Sequence, residues 1–592
     1  MKKSVIPLLI LLFILTLFGT RFVGLNWGLP YPMHPDERNI AIALMQLTCH
    51  KLDASCLNPH FFAYGQFTIY ISFILIKLYH IFTLRGFGLQ INPQEAFLAL
   101  RVLSAAASTA TAFVLFLSLN HLQQSHKVFV HNFLLALFFV FSPVMIQMAH
   151  FGTTESIVIL FTSLLVYYSL VLFRGRISFR RYSFISGLIL GLAVGTKVSS
   201  LLLGSIPFIV YLMEFKKHSR RFPALFVHGI FFCVTTAFFV VFSSPQSFIS
   251  FHDFVGAMRY ESDVAFGTYR AFYTNQFTST IPLVFQALTV FPYSLGFIVF
   301  ILSILGFIIL SWKRKEYIFL RLVFFAFFIP SASMYAKWTR FLAPVYPIML
   351  LVAAQTLHQF YVYMSAHHHA LARWVLGGLI FFAILPGVAY LGVYTRPDVR
   401  FQASEWVFAH MPEHAHVLYE TANVVDIPIL PPNSNAETKK FIGTSFDFYH
   451  LDENMSLAED LQRSIEEADY IIVPSRRVFY NYTCIRPTND QLPTNNNQLS
   501  VVNRKLSIAN ELLEGKYPNH CQELNDRYPL LSTYFTDLFS GTLGFKQVAE
   551  FTSYPRISLF GKTIVEFPDE QAEETWTVFD HPVIRIYERI KD

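Results

Sequence analysis

Charge is scarce in this sequence: Asp, Glu, Lys and Arg make up 14% of 592 residues, against 54% hydrophobic and 17% aromatic. With a mean hydropathy of +0.43, the chain has too little polar surface to cover a soluble globule of this length. It reads as a polytopic membrane protein. A large charge imbalance is missing too, since 45 Lys and Arg against 39 Asp and Glu leave only +6. Much of that excess lies in short loops on one membrane side, which argues against a nucleic-acid partner. Cysteines are few. Cys233 lies in an apolar run, while Cys49 with Cys56 and Cys484 with Cys521 lie in polar regions, where spacing allows two disulfides or free thiols equally. No internal repeat of the inverted-transporter kind is present, and the only low-complexity tract is TNNNQ, 494–498. Lys2 and Lys3 precede an apolar run, but no small-residue cleavage site follows Leu17 to Gly24. The start is therefore expected to be an uncleaved signal anchor with its amino end in the cytoplasm.

What is abundant is long apolar runs. A crossing needs about 20 residues, and such runs lie near 96–120, 128–148, 155–173, 182–214, 222–243, 289–311, 317–335, 342–363 and 372–394. The run 182–214 is too long for one crossing, at about 1.5 Å per residue against a core of about 30 Å. Arg174, Arg176, Arg180 and Arg181 precede it, and Lys216, Lys217, Arg220 and Arg221 follow it. Both clusters belong in the cytoplasm by the positive-inside rule, so the chain goes out and returns as a hairpin. Its tip, AVGTKVSS, puts Lys197 on the outer side. The run FTIYISFILIKLYHIF, 67–82, holds Lys77 and His80. A crossing there would flip every later basic cluster outward, so it is read as an interfacial helix. About eleven crossings result. Lys127, Lys313, Arg314, Lys315 and Arg373 then face inward, and the loops holding Asp36, Glu155, Lys197, Arg259, Lys337 and Arg340 face outward.

Residues 1–395 thus form a transmembrane module whose first outer loop, 26–95, carries interfacial helices. Residues 396–592 hold no spanning run and show strand-like HVLYE, YIIVPS and VIRIYER between helical and Asn/Pro-rich stretches. They are expected to form an extracytoplasmic α/β-like domain.

The stretch PMHPDERN, 32–39, places two adjacent carboxylates, Asp36 and Glu37, just beyond the first apolar run. Acids at a helix start after Pro35 are explained by the helix dipole alone. A third carboxylate, Glu155 in MAHFGTTES, opens another crossing on the same face, so two distant acidic loops are able to converge. Lys197, and Lys337 with Arg340 in SMYAKWTRFLAPVYP, are cations on the side where basic residues are disfavoured. Snorkelling to lipid headgroups explains each one singly; an anionic partner such as a lipid phosphate explains them together. Arg101, just inside the second crossing, ranks below them. His34, Asp36, Glu37 and Glu155 are also residue types that suit a divalent cation, but no ligand spacing closes a site. HHH at 367–369 reads as solvated loop.

The order of HPDE after the first crossing, LRVLSAAAS opening the second, SPVMIQMAHFGTTES at the fourth, GLILGLAVGTKVSSL at the hairpin and KWTRFLAPVYP later resembles the GT-C membrane glycosyltransferases. More narrowly, it resembles the dolichyl-phosphate-mannose protein mannosyltransferase family and its bacterial relatives that use polyprenyl-phosphate sugars. TRPDVRFQASEWVFAHMP and EETWTVFDHPVIRIYER are similar to the outer domain of many bacterial members, so the resemblance covers nearly the whole chain. It departs in two respects: Glu155 stands where the family commonly has Asp, and 244–280 and 430–530 carry no family signature and are where acceptor choice would be set.

The resemblance implies a bacterial inner-membrane enzyme, with its site and carboxyl-terminal domain extracytoplasmic. It would move a sugar from a polyprenyl or dolichyl phosphate to an acceptor hydroxyl of a protein, lipid or glycan. The family's first-loop base falls on Asp36, with Glu37 tuning it or positioning the acceptor and Glu155 as a further catalytic carboxylate. Attack opposite the phosphate inverts the anomeric centre. The leaving phosphate needs positive charge, assigned to Lys197, Lys337 and Arg340 with Arg101 as a further member, and no metal cofactor. Rival readings are a transporter or flippase, a lipid-linked saccharide polymerase or ligase, and a catalytically silent glycolipid binder.

Overall fold

The computed structural model describes residues 5–591 apart from 48–55, 87, 124–128, 218–221, 421–424, 431–438 and 486–517. Lys127, Arg220, Arg221, Cys49 and the TNNNQ tract lie outside the described residues. Up to residue 395 the chain is mostly helical. The elements are α1 (Val5–Phe22), α2 (Pro35–Met45), α3 (Phe67–Phe82), α4 (Pro93–Gln123), α5 (Phe129–Val140), α6 (Pro143–His150), α7 (Glu155–Phe173), α8 (Phe179–Thr196), α9 (Ser205–Lys217), α10 (Phe222–Ser243), α11 (Gln246–Ile249), α12 (Phe251–Phe266), α13 (Phe291–Ser294), α14 (Phe297–Ile309), α15 (Lys315–Ser333), α16 (Tyr346–Ser365) and α17 (His369–Thr395).

Each expected crossing coincides with a helix or a bent helix pair. Among the described residues, six helices are long and apolar enough to span, or eight if the pairs bent by 52° at Ser142 and by 118° near Gly296 are single spans. Length and composition therefore support fewer than the expected eleven. α1, α8 and α16 are the remainder: α8 starts on Arg180 and Arg181, and α16 carries Gln355, His358 and Gln359. The long run 182–214 does break in two, with Lys197 in extended conformation between α8 and a 3-10 turn, Val198–Gly204, that leads into α9. α3, at 16 residues, is shorter than a span.

Buried arginines close the helix breaks. Pro143 ends α5 and opens α6, leaving the last carbonyls of α5 without intrahelical donors. Arg21 of α1 supplies them, donating to Phe139 O and Val140 O at 2.9 Å each and to Ser108 Oγ at 2.9 Å. Arg321 of α15 likewise donates to Phe307 O at 2.8 Å near the end of α14. In α8, Gly187, Gly191 and Gly195 form a small-residue stripe against α10. A Cβ at Gly195 would lie 1.9 Å from Ser243 Oγ, so only glycine permits this approach.

Basic residues gather at one end of the bundle and the acidic loops at the other. Arg314 donates to Leu122 O at 3.0 Å near the end of α4, and Lys315 to Phe173 O at 2.8 Å at the end of α7, where cations suit the helix dipole. Glu155 begins α7, at the opposite end of a 19-residue helix, or about 27 Å away at 1.5 Å per residue.

After α17 come α18 (Val399–His410) and, among the described residues, seven strands: β1 (His416–Glu420), β2 (Ile442–Phe446), β3 (Tyr470–Val473), β4 (Phe545–Phe551), β5 (Arg556–Leu559), β6 (Lys562–Glu566) and β7 (Ile584–Arg589). The three strand-like runs read from sequence are β1, β3 and β7. A five-stranded sheet runs β2-β1-β3-β7-β4, with β1 parallel to β2 and β3, and β7 antiparallel to β3 and β4. Cys484 and Cys521 form a disulfide, and Cys56 is disulfide-bonded as well. Cys233 is free and exposed.

The boundary at 395 falls at the end of α17, but packing does not stop there. Val417, Ile472, Ile584, Ile586, Trp576 and Val578 belong to the same continuous apolar core as the helices. Polar contacts reinforce the junction. Asp580 accepts from Tyr390 Oη at 3.0 Å and Tyr394 Oη at 2.7 Å of α17, and from Gln147 Nε2 of α6 at 3.3 Å. His581 lies buried between Asp580 at 2.6 Å and Asp569 at 3.0 Å. Burial opposes its charge, but Asp569 and Asp580 prevail and push its pKa up from 6.5 to about 10. A histidine raised on folding stabilises fully below its unfolded pKa and loses that contribution as pH rises through the folded one. Thermal unfolding of detergent-solubilised protein is therefore expected to show a falling Tm from pH 6.5 toward 10, with a flatter slope in His581→Asn. An identical slope in the variant would place the pH sensitivity elsewhere.

Candidate active site

Helix α2 begins where sequence chemistry tells it to. His34 is the N-cap, its Nδ1 accepting from Glu37 N at 3.4 Å; Pro35 is the first helical residue; and Asp36 and Glu37 fill the acid-favouring first turn. Successive helical side chains point about 100° apart, and here the two carboxylates part company.

Glu37 turns inward. It is fully buried and accepts from Arg101 Nε at 2.7 Å, Arg101 Nη2 at 2.8 Å and Gly152 N at 2.8 Å. Arg101, also fully buried, spends Nη1 on Leu25 O and Trp27 O at 2.8 Å each and stacks 4.5 Å from the Trp27 ring. This closed pair ties α2 and α4 to the turn after α1 and the loop before α7. Neither residue lines the pocket that holds Asp36, and each charge is matched by the other. Their satisfied geometry is that of a structural clamp.

Asp36 turns the other way and pairs with Arg340 from the turn Thr339–Leu342, both side chains about one-fifth exposed. Glu155, at the start of α7, accepts from Lys197 Nζ at 2.8 Å. Lys197 also lies over the rings of Tyr64 at 5.3 Å and Phe341 at 5.7 Å. Asp36, Glu155 and Arg340 line one pocket with His34, so four of the residues singled out from sequence converge from three separate stretches of chain. Burial opposes charge on Arg340, yet Asp36, Tyr64, Glu155 and Glu261 hold its pKa above the ordinary value. Its Nε–H is buried and has no partner among the described residues. His34 sits edge-on to Phe151 at 4.6 Å and against Phe579 at 4.2 Å; burial lowers its pKa, favouring the neutral ring.

Lys337 does not join this group. Its Nζ donates to Tyr335 O at 3.0 Å, and burial lowers its pKa to about 8. Among the described residues no three His, Cys, Asp or Glu side chains form a metal-holding group: Glu37 faces Arg101 and Glu155 faces Lys197.

Five contributors were not legible from sequence. Thr575 and Phe579, from the carboxyl-terminal part, line the pocket. Gln147 and Met148 of α6 line it too, within the quoted motif SPVMIQMAH but without a charge to mark them. Glu261 of α12 lies in the electrostatic field of Arg340, Asp36 and Lys197, and burial raises its pKa. It falls inside 244–280, where sequence carries no signature.

Residues 88–334, less than half of the chain, match Glycosyltransferase family 87. No match to a curated protein is found by sequence. Among solved structures, similarity is found to ArnT from Cupriavidus metallidurans bound to undecaprenyl phosphate, at 13% identity over 71% of this chain and 83% of that one, with a TM-score of 0.45. An Archaeoglobus fulgidus oligosaccharyltransferase is similar at 11% identity over 81% of this chain and 71% of that one, TM-score 0.44. The mycobacterial arabinofuranosyltransferase AftD is similar at 12% identity over 84% of this chain and 40% of that one, TM-score 0.39.

The opposite orientations of Glu37 and Asp36 separate in a stability measurement. Arg101→Met, which strands a buried carboxylate, is expected to cost about 3–5 kcal/mol. Asp36→Asn, at a solvent-reached pair, is expected to cost about 1 kcal/mol or less. Thermal or denaturant unfolding in detergent checks both; equal losses would contradict the assignment.

Proposed function

We propose that this chain is a membrane glycosyltransferase that moves a sugar from a polyprenyl or dolichyl phosphate to an acceptor hydroxyl. The observation that carries this reading is the pocket itself, where Arg340 and Lys197 meet Asp36 and Glu155 at one end of a bundle of apolar helices. The match of residues 88–334 to a glycosyltransferase family supports the reaction class.

A lipid phosphate leaves as a stable anion and needs no proton, but it does need fixed positive charge in a low-dielectric place. Arg340 supplies it, with its partnerless Nε–H as an available donor and a geometry suited to phosphate oxygens. Lys197 is the second cation. Both are held by carboxylates, so donor binding is an exchange: phosphate takes Arg340, and Asp36 is released. Asp36 then accepts the proton of the acceptor hydroxyl as its oxygen bonds to the anomeric carbon, while the bond from that carbon to the phosphate oxygen breaks and its electron pair leaves on the phosphate. Attack from the face opposite the phosphate inverts the centre. Tying base release to donor arrival leaves Asp36 neutralised when no donor is bound. Glu155 holds Lys197 in place.

The basic cluster of Arg174, Arg314 and Lys315 at the far end of the helices supports a cytoplasmic assignment for that end. The pocket then opens at the outer face, and the protein sits in a bacterial inner membrane. The acceptor is a protein, lipid or glycan hydroxyl. Positive charge from Arg and Lys makes a metal dispensable, so chelation by EDTA is expected to leave transfer unchanged.

The test is incubation of the purified protein with radiolabelled polyprenyl-phosphate sugars and cell-envelope fractions. Label is expected to move into one fraction. Asp36→Asn should lower transfer by at least about 100-fold, the scale of a lost general base, while keeping undecaprenyl phosphate binding. Failure of the wild-type protein to bind that lipid, or full transfer by Asp36→Asn, would overturn the reading.

A further inference from the structure

We infer that Glu573, carried by the carboxyl-terminal segment 569–581, is a positioning residue for Arg340, so that the carboxyl-terminal part of the chain completes the donor-phosphate site. This rests on the reading of Arg340 just given.

The contact begins one residue before Arg340. The Glu573 carboxylate accepts from Thr339 N at 3.1 Å and Thr339 Oγ1 at 3.0 Å, while Tyr346 Oη donates to Thr339 O at 2.9 Å. Residue 339 is therefore held at its amide, its carbonyl and its hydroxyl. That fixes the backbone from which Arg340 departs, at the first residue of the turn Thr339–Leu342. A long guanidinium side chain has many rotamers to lose, and its reach to a phosphate depends on where its backbone starts.

Glu573 is itself immobile. Its N–H donates to Thr289 O at 3.0 Å, Gln276 Nε2 reaches its Oε1 at 3.1 Å, and Thr575 donates twice, from N at 3.0 Å and Oγ1 at 2.6 Å. The segment on either side is fastened by Trp576 Nε1 to Asp569 at 3.0 Å and by Asp580 to α6 and α17. Thr575 and Phe579, two and six residues on, form pocket wall. Positioning and lining thus come from one strap.

The choice of Glu is informative. All its hydrogen-bond partners are uncharged, so a buried carboxylate is retained without a cation to neutralise it; its neighbour Glu574 takes Arg477 at 2.5 Å instead. Only a carboxylate accepts on both oxygens. A glutamine would turn its NH2 toward donors, either at Thr339 or at Gln276 and Thr575 N, leaving donors facing donors.

The experiment titrates full-length purified protein with undecaprenyl phosphate and compares wild type, Glu573→Gln, Glu573→Asp, Arg340→Met and the Glu573→Gln/Arg340→Met double variant. Glu573→Gln is expected to weaken binding about tenfold, the equivalent of one or two lost hydrogen bonds, and Glu573→Asp to recover part of it. In the Arg340→Met background the second change should add nothing, because Glu573 acts through Arg340. A purely structural role would lower affinity equally in both backgrounds, and that outcome overturns the inference, as does wild-type affinity in Glu573→Gln. If Glu573→Gln fails to fold, Thr339→Val decides. It removes one bond to the carboxylate and should weaken binding about threefold; unchanged affinity overturns the inference. Absence of saturable lipid binding by the wild type would instead reject the donor-phosphate reading itself.

Discussion

The candidate site depends on a buried ion pair that lies behind it and outside the pocket lining. Arg101 and Glu37 satisfy each other in a space sealed from water, with Leu25, Trp27 and Gly152 taking up the remaining hydrogen bonds. Such a pair adds little net stability over apolar packing but penalises any rearrangement heavily. Its effect is to fix the rotation of α2 about its own axis. With Glu37 pinned inward, the preceding carboxylate is directed about 100° away, toward the pocket and Arg340. Two adjacent acids beyond the first apolar helix therefore do different work: one sets the angle at which the other is presented.

The same logic extends to the cation side. Arg340 leaves the chain beside Thr339, and Thr339 is gripped by Glu573 from a segment more than two hundred residues later. In the proposed reaction, two positions must match to within a fraction of an ångström: the base and the phosphate-holding guanidinium. Each is set by a neighbour in sequence whose polar groups are fully used. In that proposal the ionic contacts of the pocket, Asp36 with Arg340 and Glu155 with Lys197, are the ones that exchange, and the contacts behind them do not. The apolar core that runs from the helices into the sheet makes the carboxyl-terminal part a structural half of this arrangement rather than an appended module.

Much of this was legible in the sequence because charge is so rare in it. Asp36, Glu155, Lys197 and Arg340 stand out against apolar surroundings, and the positive-inside rule puts them on one side. The break at Lys197 followed from the length of 182–214, and β1, β3 and β7 from their apolar, β-branched patterns. What failed was the inference from charge to exposure. Glu37, Arg101 and Lys337 look like Asp36 and Arg340 in one dimension, yet Glu37 and Arg101 are absorbed by each other across 64 residues of sequence, and Lys337 turns back on the Tyr335 carbonyl two residues before it. The contribution of 569–581 was hidden for the converse reason, since Thr575 and Phe579 carry no charge and Glu573 acts through a backbone amide. Among the expected crossings, α8 starts beside Arg180 and Arg181 and α16 carries Gln355, His358 and Gln359, although both pack as members of the bundle.

The central claim is that a lipid phosphate exchanges places with Asp36 on Arg340. The most direct measurement is a structure of the protein with undecaprenyl phosphate bound. The account predicts phosphate oxygens within hydrogen-bond distance of Arg340, with the Asp36 carboxylate separated from the guanidinium and Glu37 unmoved on Arg101. A phosphate bound elsewhere, with the Asp36–Arg340 pair intact, would contradict it.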